Sequence, residues 1–595
     1  MKQLFQLFIL CHMLCLYGNV DIKGGFGNVY PDYSGVIQIR VNIVNNKNAT
    51  TGRILVYQPS SQEGYEVTNI FPFTLPKNSK KKFVHNVLCD PLSERQHMKV
   101  KVQFDDKRPE VMQKLNRSNE EPIIACYNIP KKYLTYKLKG KEAKEYLKEN
   151  IRTKNIPLNS KLIPVTKSDL PENSLAYEGL YALFLNALDI DKLSLKQKQA
   201  IREWIQTGGR LLLYNPDKNP ACKKFFNSMV SSGSLPSHGL FHYGNGLILL
   251  HTPKNKKLKP VWFDKKFLKN SKSFFQNLGS KRGDPGSGIL KGILAGKSND
   301  VNYSGLFLLV FIILIYILII GPLDYYILKK TKKYWLTWVI FISAIIVFSG
   351  VSYRYSSLSH AGENKTLVVN FLDTLPGTDM IAKGNSIIVI YSTLNKNYIF
   401  SSEKDKLVFT AMEKWPTTSA TSTITQAKGA INVKSKIPVF SHKQYIGIWH
   451  EKISINVKEL ASGYQINSDK TITEAILATD DGITNLLYIN NVWQNKGDMT
   501  SWNDLAMKFD NAIINQEKKL QEYIYQIPFF DKFKGESSAA LDNSPNAIEM
   551  RLSMNQEISA GKKVLFLKVK ESLIEYDSTD FHNKKEINVI RIILK

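Results

Sequence analysis

The chain has 595 residues, of which 43% are hydrophobic and 22% charged, and its formal net charge is +28. This composition excludes a disordered chain and fits about four globular domains. The five cysteines show neither a disulfide framework nor metal-type spacing, so we predict no metal site and no cofactor. The lysines and arginines are spread along the whole chain rather than clustered, so we predict no nucleic-acid partner.

The N-terminus has the features of a secretory signal. An apolar stretch over 4–17 follows Lys2, and its length is typical of a signal-peptide core and short for a membrane span. We predict a signal peptide over 1–20. An uncleaved anchor is the alternative, because the small-residue cleavage pattern is poor. Cys11 and Cys15 each follow Leu, where a lipidation site needs a small residue, so no lipidation is predicted.

From the signal to about residue 118 the sequence predicts β-strands. Residues 35–46 alternate apolar and polar side chains and end in an Asn-Asn turn, as a half-buried strand does. Short strands separated by turn residues predict an immunoglobulin-like β-sandwich over 21–118, a module that more often spaces or binds than catalyses. Further strands are predicted over 53–57, 82–87 and 98–104.

The pattern changes after residue 119 to strands that alternate with helices. Continuous apolar strands separated by helices predict a parallel sheet covered on both faces, over 119–255. The clearest helix is 194–207, where Ser194 and Gln197 have the spacing of a capping box. The other predicted elements are a helix over 141–151 and strands over 123–127, 162–165, 182–185, 210–214 and 247–251.

Two uncharged apolar runs near the middle of the chain predict a transmembrane hairpin. A connector over 256–302 leads to the first span, 303–323, and the second span is 336–353. Pro322 is expected to end the first helix because it offers no amide donor. Lysines in the turn over 324–335 predict that this turn is cytoplasmic and that both large halves lie outside the cytoplasm. The alternative, a buried helical pair in a soluble core, lacks the polar face that it needs.

Strands dominate again after the hairpin. We predict a β domain over 360–450 and another over 451–595 that contains an amphipathic helix, 504–524. No catalytic constellation is evident in this half. The predicted strands are 365–371, 386–391, 430–434, 452–457, 485–489, 563–569 and 587–594.

Several stretches resemble a known family. Residues 177–186, 193–205 and 208–214 are similar to the core of class I glutamine-amidotransferase-like domains, and the run GlyProLeuAspTyrTyrIleLeuLysLys (321–330) is similar to the GPxxY-type hairpin that follows that core in many bacterial envelope proteins. The resemblance covers about 120–355. It implies a flavodoxin-like fold and a multi-pass protein of the bacterial plasma (inner) membrane, with both large halves extracytoplasmic.

The predicted fold class is therefore a multidomain membrane protein. It combines an N-terminal β-sandwich, an α/β flavodoxin-like (amidotransferase-like) domain, a two-helix transmembrane hairpin and C-terminal β-rich domains.

The glutaminase chemistry that the resemblance implies lacks its residues here. A class I glutaminase needs a cysteine on a Gly-x-Cys-x-Gly elbow and a histidine base, and this chain has no such elbow. Cys126 lies in a predicted strand, where a core role is expected. Cys222 has lysine neighbours but neither the glycines nor a recognisable base. We predict no catalytic and no cofactor-binding residue, and no hydrolysis of glutamine.

Two other sets of polar residues each allow a structural and a functional interpretation. The first is a set of histidines close enough in sequence for a metal, but its glycine-rich surroundings favour a loop entering a strand, so no metal ligand is predicted. The second follows the carboxyl end of a strand, where ligands bind in open α/β sheets, but ordinary loop and helix-entry roles are preferred. The members of the two groups are His238, His242 and His251, and Asn186, Asp189 and Asp191.

These patterns favour a non-catalytic, membrane-anchored binding or scaffolding component of the cell envelope. Its expected partners are the lipid bilayer and a membrane or envelope protein. The alternative is a membrane-tethered hydrolase of unrecognised mechanism. An exposed nucleophile–base pair would favour the hydrolase, and a filled or shallow crevice would favour the scaffold.

Overall fold

A computed structural model describes most of the β-rich body of the protein. The described residues are 20–30, 35–59, 66–89, 97–106, 108–117, 123–129, 161–214, 225, 239–251, 311, 313–359, 365–392, 395–404, 407–412, 422–427, 429–438, 441–495, 499–502, 504, 561–578, 580 and 584–594. The predicted signal peptide, the connector 256–302, the helix 141–151 and almost all of the helix 504–524 lie outside them.

Twenty-nine strands are described, and every strand predicted above overlaps one of them. In chain order they are β1 (Val20–Gly24), β2 (Val29–Tyr30), β3 (Val36–Asn45), β4 (Thr50–Pro59), β5 (Glu66–Leu75), β6 (Ser79–Leu88), β7 (Lys99–Phe104), β8 (Val111–Lys114), β9 (Asn116–Arg117), β10 (Ile123–Tyr127), β11 (Lys161–Val165), β12 (Ala182–Asn186), β13 (Arg210–Tyr214), β14 (Gly239–Tyr243), β15 (Gly246–His251), β16 (Lys365–Thr374), β17 (Gly377–Ser392), β18 (Lys396–Ser402), β19 (Val408–Met412), β20 (Ser422–Ala427), β21 (Ala430–Ile437), β22 (Ser441–Leu460), β23 (Gly463–Ser468), β24 (Ile472–Ala478), β25 (Gly482–Ile489), β26 (Val492–Asn495), β27 (Thr500–Ser501), β28 (Lys563–Val569) and β29 (Lys584–Leu594).

Helices are few among the described residues. The predicted helix 194–207 is confirmed as α1 (Leu195–Gln206), and its capping box between Ser194 and Gln197 is formed. The other α-helices are α2 (Asp324–Thr331) and α3 (Leu336–Ser359), and short 3₁₀ turns cover Lys167–Asp169, Ser174–Tyr177 and Ala187–Lys192.

Two facing sheets form a sandwich in the N-terminal part of the molecule. A three-stranded sheet has the order β1-β3-β6, and a seven-stranded sheet has the order β18-β21-β20-β5-β4-β7-β8. Apolar side chains such as Ile39, Val41, Ile54 and Val100 fill the space between them. Three strands of the larger sheet, β18, β20 and β21, come from the C-terminal half of the chain, and β20 pairs in parallel with β5. The two halves of the chain therefore share one sheet.

The eleven-stranded sheet closes on itself. Its order is β17-β16-β29-β28-β24-β25-β26-β23-β22-β19, with β27 beside β25, and β22 also pairs with β17. This closure is possible because β22 is 20 residues long. Most of β22 pairs with β17, and its last residues pair with β23. Trp449 and Tyr445 of this sheet pack in one core with Phe400 and Val433 of the seven-stranded sheet.

The six-stranded sheet corrects the predicted fold class. Its order is β11-β10-β12-β13-β15-β14, parallel except for β14, but α1 is the one α-helix described between β10 and β15. The described structure is mostly β-strand (59%), with few helices, and no α/β flavodoxin-like domain is shown. The prediction of a multidomain membrane protein with such a domain is therefore wrong. Apolar runs predicted the strands correctly, but their alternation with helices did not extend through the described residues.

The central apolar region also differs from its prediction. Pro322 does not end the first helix, because a π-helical turn over Ile319–Leu323 takes it in and continues into α2, and the wider turn tolerates the missing amide donor. The helix instead ends at Lys332, which adopts a left-handed conformation with φ 54°. The rings of Tyr316 and Phe348 pack edge to face, with their centroids 5.2 Å apart. Apolar side chains such as Ile346 are exposed.

None of the described helices combines the length and the apolar character needed to cross a membrane. This finding contradicts the predicted transmembrane hairpin. It also contradicts the predicted location as a multi-pass bacterial plasma-membrane protein with both large halves extracytoplasmic.

Candidate functional site

The segment between β11 and β12 lies where three sheets meet. Arg40 of β3 reaches it from the sandwich: its Nη1 donates to the Ser168 carbonyl at 2.8 Å, and its Nη2 lies 3.2 Å from Asp169 Oδ1. The Asp169 carboxylate is fixed by Thr166, whose backbone N–H donates to it at 2.9 Å. Burial lowers the pKa of Arg40, although Asp169 opposes this effect. The contact therefore joins the sandwich to the six-stranded sheet through a charge that is poorly hydrated.

A second polar contact joins the same segment to the eleven-stranded sheet. We call it the junction cluster. It contains two residues at the 3₁₀ turn before β12, one from α1 and one each from β17 and β22. They are Ser174, Glu178, Glu203, Lys383 and His450.

Strand alternation places the basic pair of the junction cluster. Lys383 and His450 are directly opposite each other on β17 and β22, so both side chains point to the same face, towards the 3₁₀ turn. The next pair, Gly384 and Trp449, points to the other face. A Cβ atom on Gly384 would lie 1.9 Å from the Trp449 ring, so only glycine lets this tryptophan lie flat across β17.

The acidic members come from the turn and from α1. Asn173 caps the turn by accepting the Leu175 N–H at 3.0 Å, which fixes the backbone on both sides of Ser174. Glu178 is the residue that ends this turn. Glu203 points from α1 to the same place and is also held by Gln199, which donates to it at 3.1 Å.

A continuous chain of contacts runs through the junction cluster. Ser174 Oγ donates to Glu203 Oε2 at 3.0 Å and lies 2.8 Å from His450 Nδ1. His450 Nε2 lies 3.3 Å from Glu178 Oε1, within ion-pair distance, without meeting the geometry of a hydrogen bond. The other oxygen of Glu178 accepts from Lys383 Nζ.

The direction of these bonds fixes the proton positions. Because the single proton of Ser174 goes to Glu203, His450 Nδ1 has to donate to the serine oxygen. Burial alone would raise the pKa of Glu178, but Lys383 and His450 outweigh it and lower that pKa to about 2. Glu178 is thus held between Lys383 and His450.

The serine and the histidine of the junction cluster are sealed from solvent, whereas the Lys383 side chain at its edge is 23% exposed. Ser174 has no exposed surface and the His450 side chain is 2% exposed. A hydrolytic serine must give its proton to the histidine and must reach a substrate carbonyl. Here the serine accepts from the histidine and gives its proton to Glu203. The arrangement is therefore a polar joint between sheets, in which Ser174 donates to Glu203.

The candidates from the sequence lie elsewhere. Cys126 is buried in β10, and burial raises its pKa to about 12, as expected for a core residue. Asn186 caps the following 3₁₀ turn by accepting the Leu188 N–H at 3.2 Å, and Asp189 pairs with Lys192 at 2.5 Å. His242 is exposed on β14. Cys222 and His238 lie outside the described residues, as does the side chain of His251.

No described group of three or more histidine, cysteine or carboxylate side chains could hold a metal ion.

Sequence reasoning missed the whole junction cluster. Ser174 and His450 are 276 positions apart, so no local spacing brings them together. The one signal available was Gly384 inside a predicted β-rich region, because a glycine within a strand often marks the close approach of another group, here Trp449.

Comparisons with known proteins add no family to this picture. The chain matches no protein-family model and none of the curated proteins. The resemblance to amidotransferase-like domains therefore stays a prediction.

Proposed function

We propose that this protein is a non-catalytic binding or scaffolding protein. The observation that carries the proposal is the burial of the serine and the histidine of the junction cluster, which are used to join sheets. Its Ser174 has no exposed surface, and catalysis requires a substrate to approach the reacting oxygen to about 3 Å.

The sharing of strands between sheets supports the same function. The seven-stranded sheet takes β4, β5, β7 and β8 from one half of the chain and β18, β20 and β21 from the other. The eleven-stranded sheet closes through β22 and β17. Sheets linked in this way resist relative movement, because any displacement breaks rows of backbone hydrogen bonds. A rigid body suits the display of a fixed surface to a partner.

A hydrolase is the second candidate, because Ser174, His450 and Glu178 follow one another in the order serine, histidine, carboxylate. The two functions make different predictions for the full-length protein with chromogenic esters, amides and glutamine as substrates. The scaffold predicts no turnover that depends on Ser174. It also predicts that a fluorophosphonate probe leaves Ser174 unlabelled in the folded protein, as read by peptide mass spectrometry.

The matched variants are Ser174→Ala and Ser343→Ala, since Ser343 is exposed on α3. Turnover that is lost in Ser174→Ala and kept in Ser343→Ala would overturn the scaffold and establish the hydrolase. Fluorophosphonate labelling of native Ser174 would do the same, even if Ser174→Ala folds poorly.

A further inference from the structure

The outer face of the seven-stranded sheet carries an unbalanced positive charge. Strand alternation turns one set of its side chains to the sandwich core and the other set outward. The outward set includes six cations, and the carboxylates beside it are engaged: Glu110 pairs with Lys101 at 2.5 Å, and Asp105 accepts from Thr51 at 2.5 Å. We call this surface the lysine face. Its cations are Arg53, Lys99, Lys101, Lys114, Lys434 and Lys436.

One row of the lysine face crosses the whole sheet. The register places one residue per strand in this row, each directly beside the next. From β18 to β8 they are Ile399, Lys434, Thr423, Thr68, Tyr57, Lys99 and Lys114. Neighbouring strands are about 4.8 Å apart, so Lys434 and Lys114 are separated by roughly 24 Å, with hydroxyl groups between them.

Folding does not account for this charge pattern. Lys99 and Lys114 are direct cross-strand partners, and like charges in that position destabilise a sheet. Among the described residues, neither of them has an acidic partner, nor does Lys434. In the junction cluster of the same molecule, by contrast, Lys383 donates to the carboxylate of Glu178.

We propose that the lysine face binds an extended anionic polysaccharide whose charges are carboxylates or phosphodiesters. Ammonium and hydroxyl groups in one row across the sheet suit a linear polymer that carries repeated anions. Binding of single-stranded nucleic acid instead uses exposed aromatic rings on which bases stack, and Tyr57, the one aromatic residue in the row, is half-buried. This inference rests on the proposed binding function and names its partner class.

Polymer binding by the full-length protein tests the proposal. The probes are polygalacturonate for carboxylates, a phosphodiester-linked mannan for phosphodiesters, neutral dextran, and a single-stranded DNA of mixed sequence. We expect binding to at least one of the two anionic glycan-type probes and none to dextran. We also expect the affinity to fall as salt is raised, because exposed charges are screened.

The test variant is the triple change Lys99→Gln, Lys114→Gln and Lys434→Gln. Its control, Lys452→Gln, Lys458→Gln and Lys562→Gln, removes the same charge from exposed positions elsewhere. We expect the test variant to bind roughly tenfold or more weakly and the control to bind nearly as wild type, since local charge complementarity and not net charge governs the contact. Thermal unfolding checks that both triple variants are folded.

Three outcomes would overturn the proposal: no binding of either anionic probe by the wild type, equal weakening in both triple variants, or tighter binding of the DNA. The anionic probe that binds more tightly identifies the recognised group as carboxylate or phosphodiester. Failure here leaves the non-catalytic function standing, because that function is decided separately by the Ser174→Ala assay.

Discussion

The junction cluster and the lysine face use charge in opposite ways. In the junction cluster, His450 is buried, Lys383 is half-buried, and both face the carboxylate of Glu178. On the lysine face, Lys99 and Lys114 are exposed and point to the same side of the sheet. A buried charge without a partner costs several kcal/mol, whereas an exposed one is solvated by water. Stability therefore requires a carboxylate beside the lysine of the junction cluster, whereas the exposed lysines of the lysine face need none and remain available for binding.

The largest expected effect tests the buried side of this comparison. Replacing Glu178 with Ala leaves Lys383 and His450 without their carboxylate, and we expect the free energy of unfolding to fall by about 3–5 kcal/mol. The matched control is Glu474→Ala, because Glu474 pairs with Lys568 at 2.6 Å with both side chains partly exposed. The control should cost about 0–1 kcal/mol.

Urea unfolding of the two variants against wild type measures this difference. Equal losses in Glu178→Ala and Glu474→Ala would show that the junction cluster contributes no more than a surface ion pair.

The pH dependence of stability sharpens the comparison. The pKa of Glu178 is about 2 in the folded protein against an ordinary value of 4.5. A lowered folded pKa means that its stabilisation is complete above pH 4.5 and is lost as the pH falls towards 2. The shift corresponds to about 3 kcal/mol at 1.36 kcal/mol per pKa unit.

Glu178→Gln removes this titration, so the stability difference between wild type and Glu178→Gln should shrink between pH 4.5 and 2. Chemical unfolding at several pH values in that window provides the measurement. Parallel stability curves for the two proteins would contradict the prediction.

The smallest effect is expected on the lysine face. Lys99→Gln relieves the repulsion from Lys114 across β7 and β8, so we expect stability to be unchanged or to rise by roughly 0.2–0.5 kcal/mol. The gain should disappear in high salt. A clear loss of stability in Lys99→Gln would mean that this lysine has a structural role, which would weaken its assignment to binding.

Local patterns predicted the strands well and their partners poorly. The alternating run 35–46 and the apolar run 123–127 became β3 and β10 because side-chain period and β propensity act within a few residues. Nothing local indicated that β20 lies beside β5 or that Lys383 faces Glu178, since those neighbours are set by the packing of whole sheets. Pro322 was wrongly predicted to end its helix, because a π-helical turn accommodates it.

The junction cluster could not have been predicted from spacing, but the lysine face was partly visible. Lys99 and Lys101 alternate with Val100 and Val102, so the sequence shows that β7 has one basic side. Only the sheet order reveals that Lys434, more than 300 positions away, continues the same row.

The shared seven-stranded sheet has a consequence for synthesis of the chain on the ribosome. Strand β5 leaves the ribosome about 350 residues before its neighbour β20, which at 5–20 residues per second is a delay of roughly 20–70 seconds. Throughout that time one edge of β5 has no native partner, and open edges invite pairing with other chains. A fragment that stops at β8 would keep that edge of β5 without its native partner.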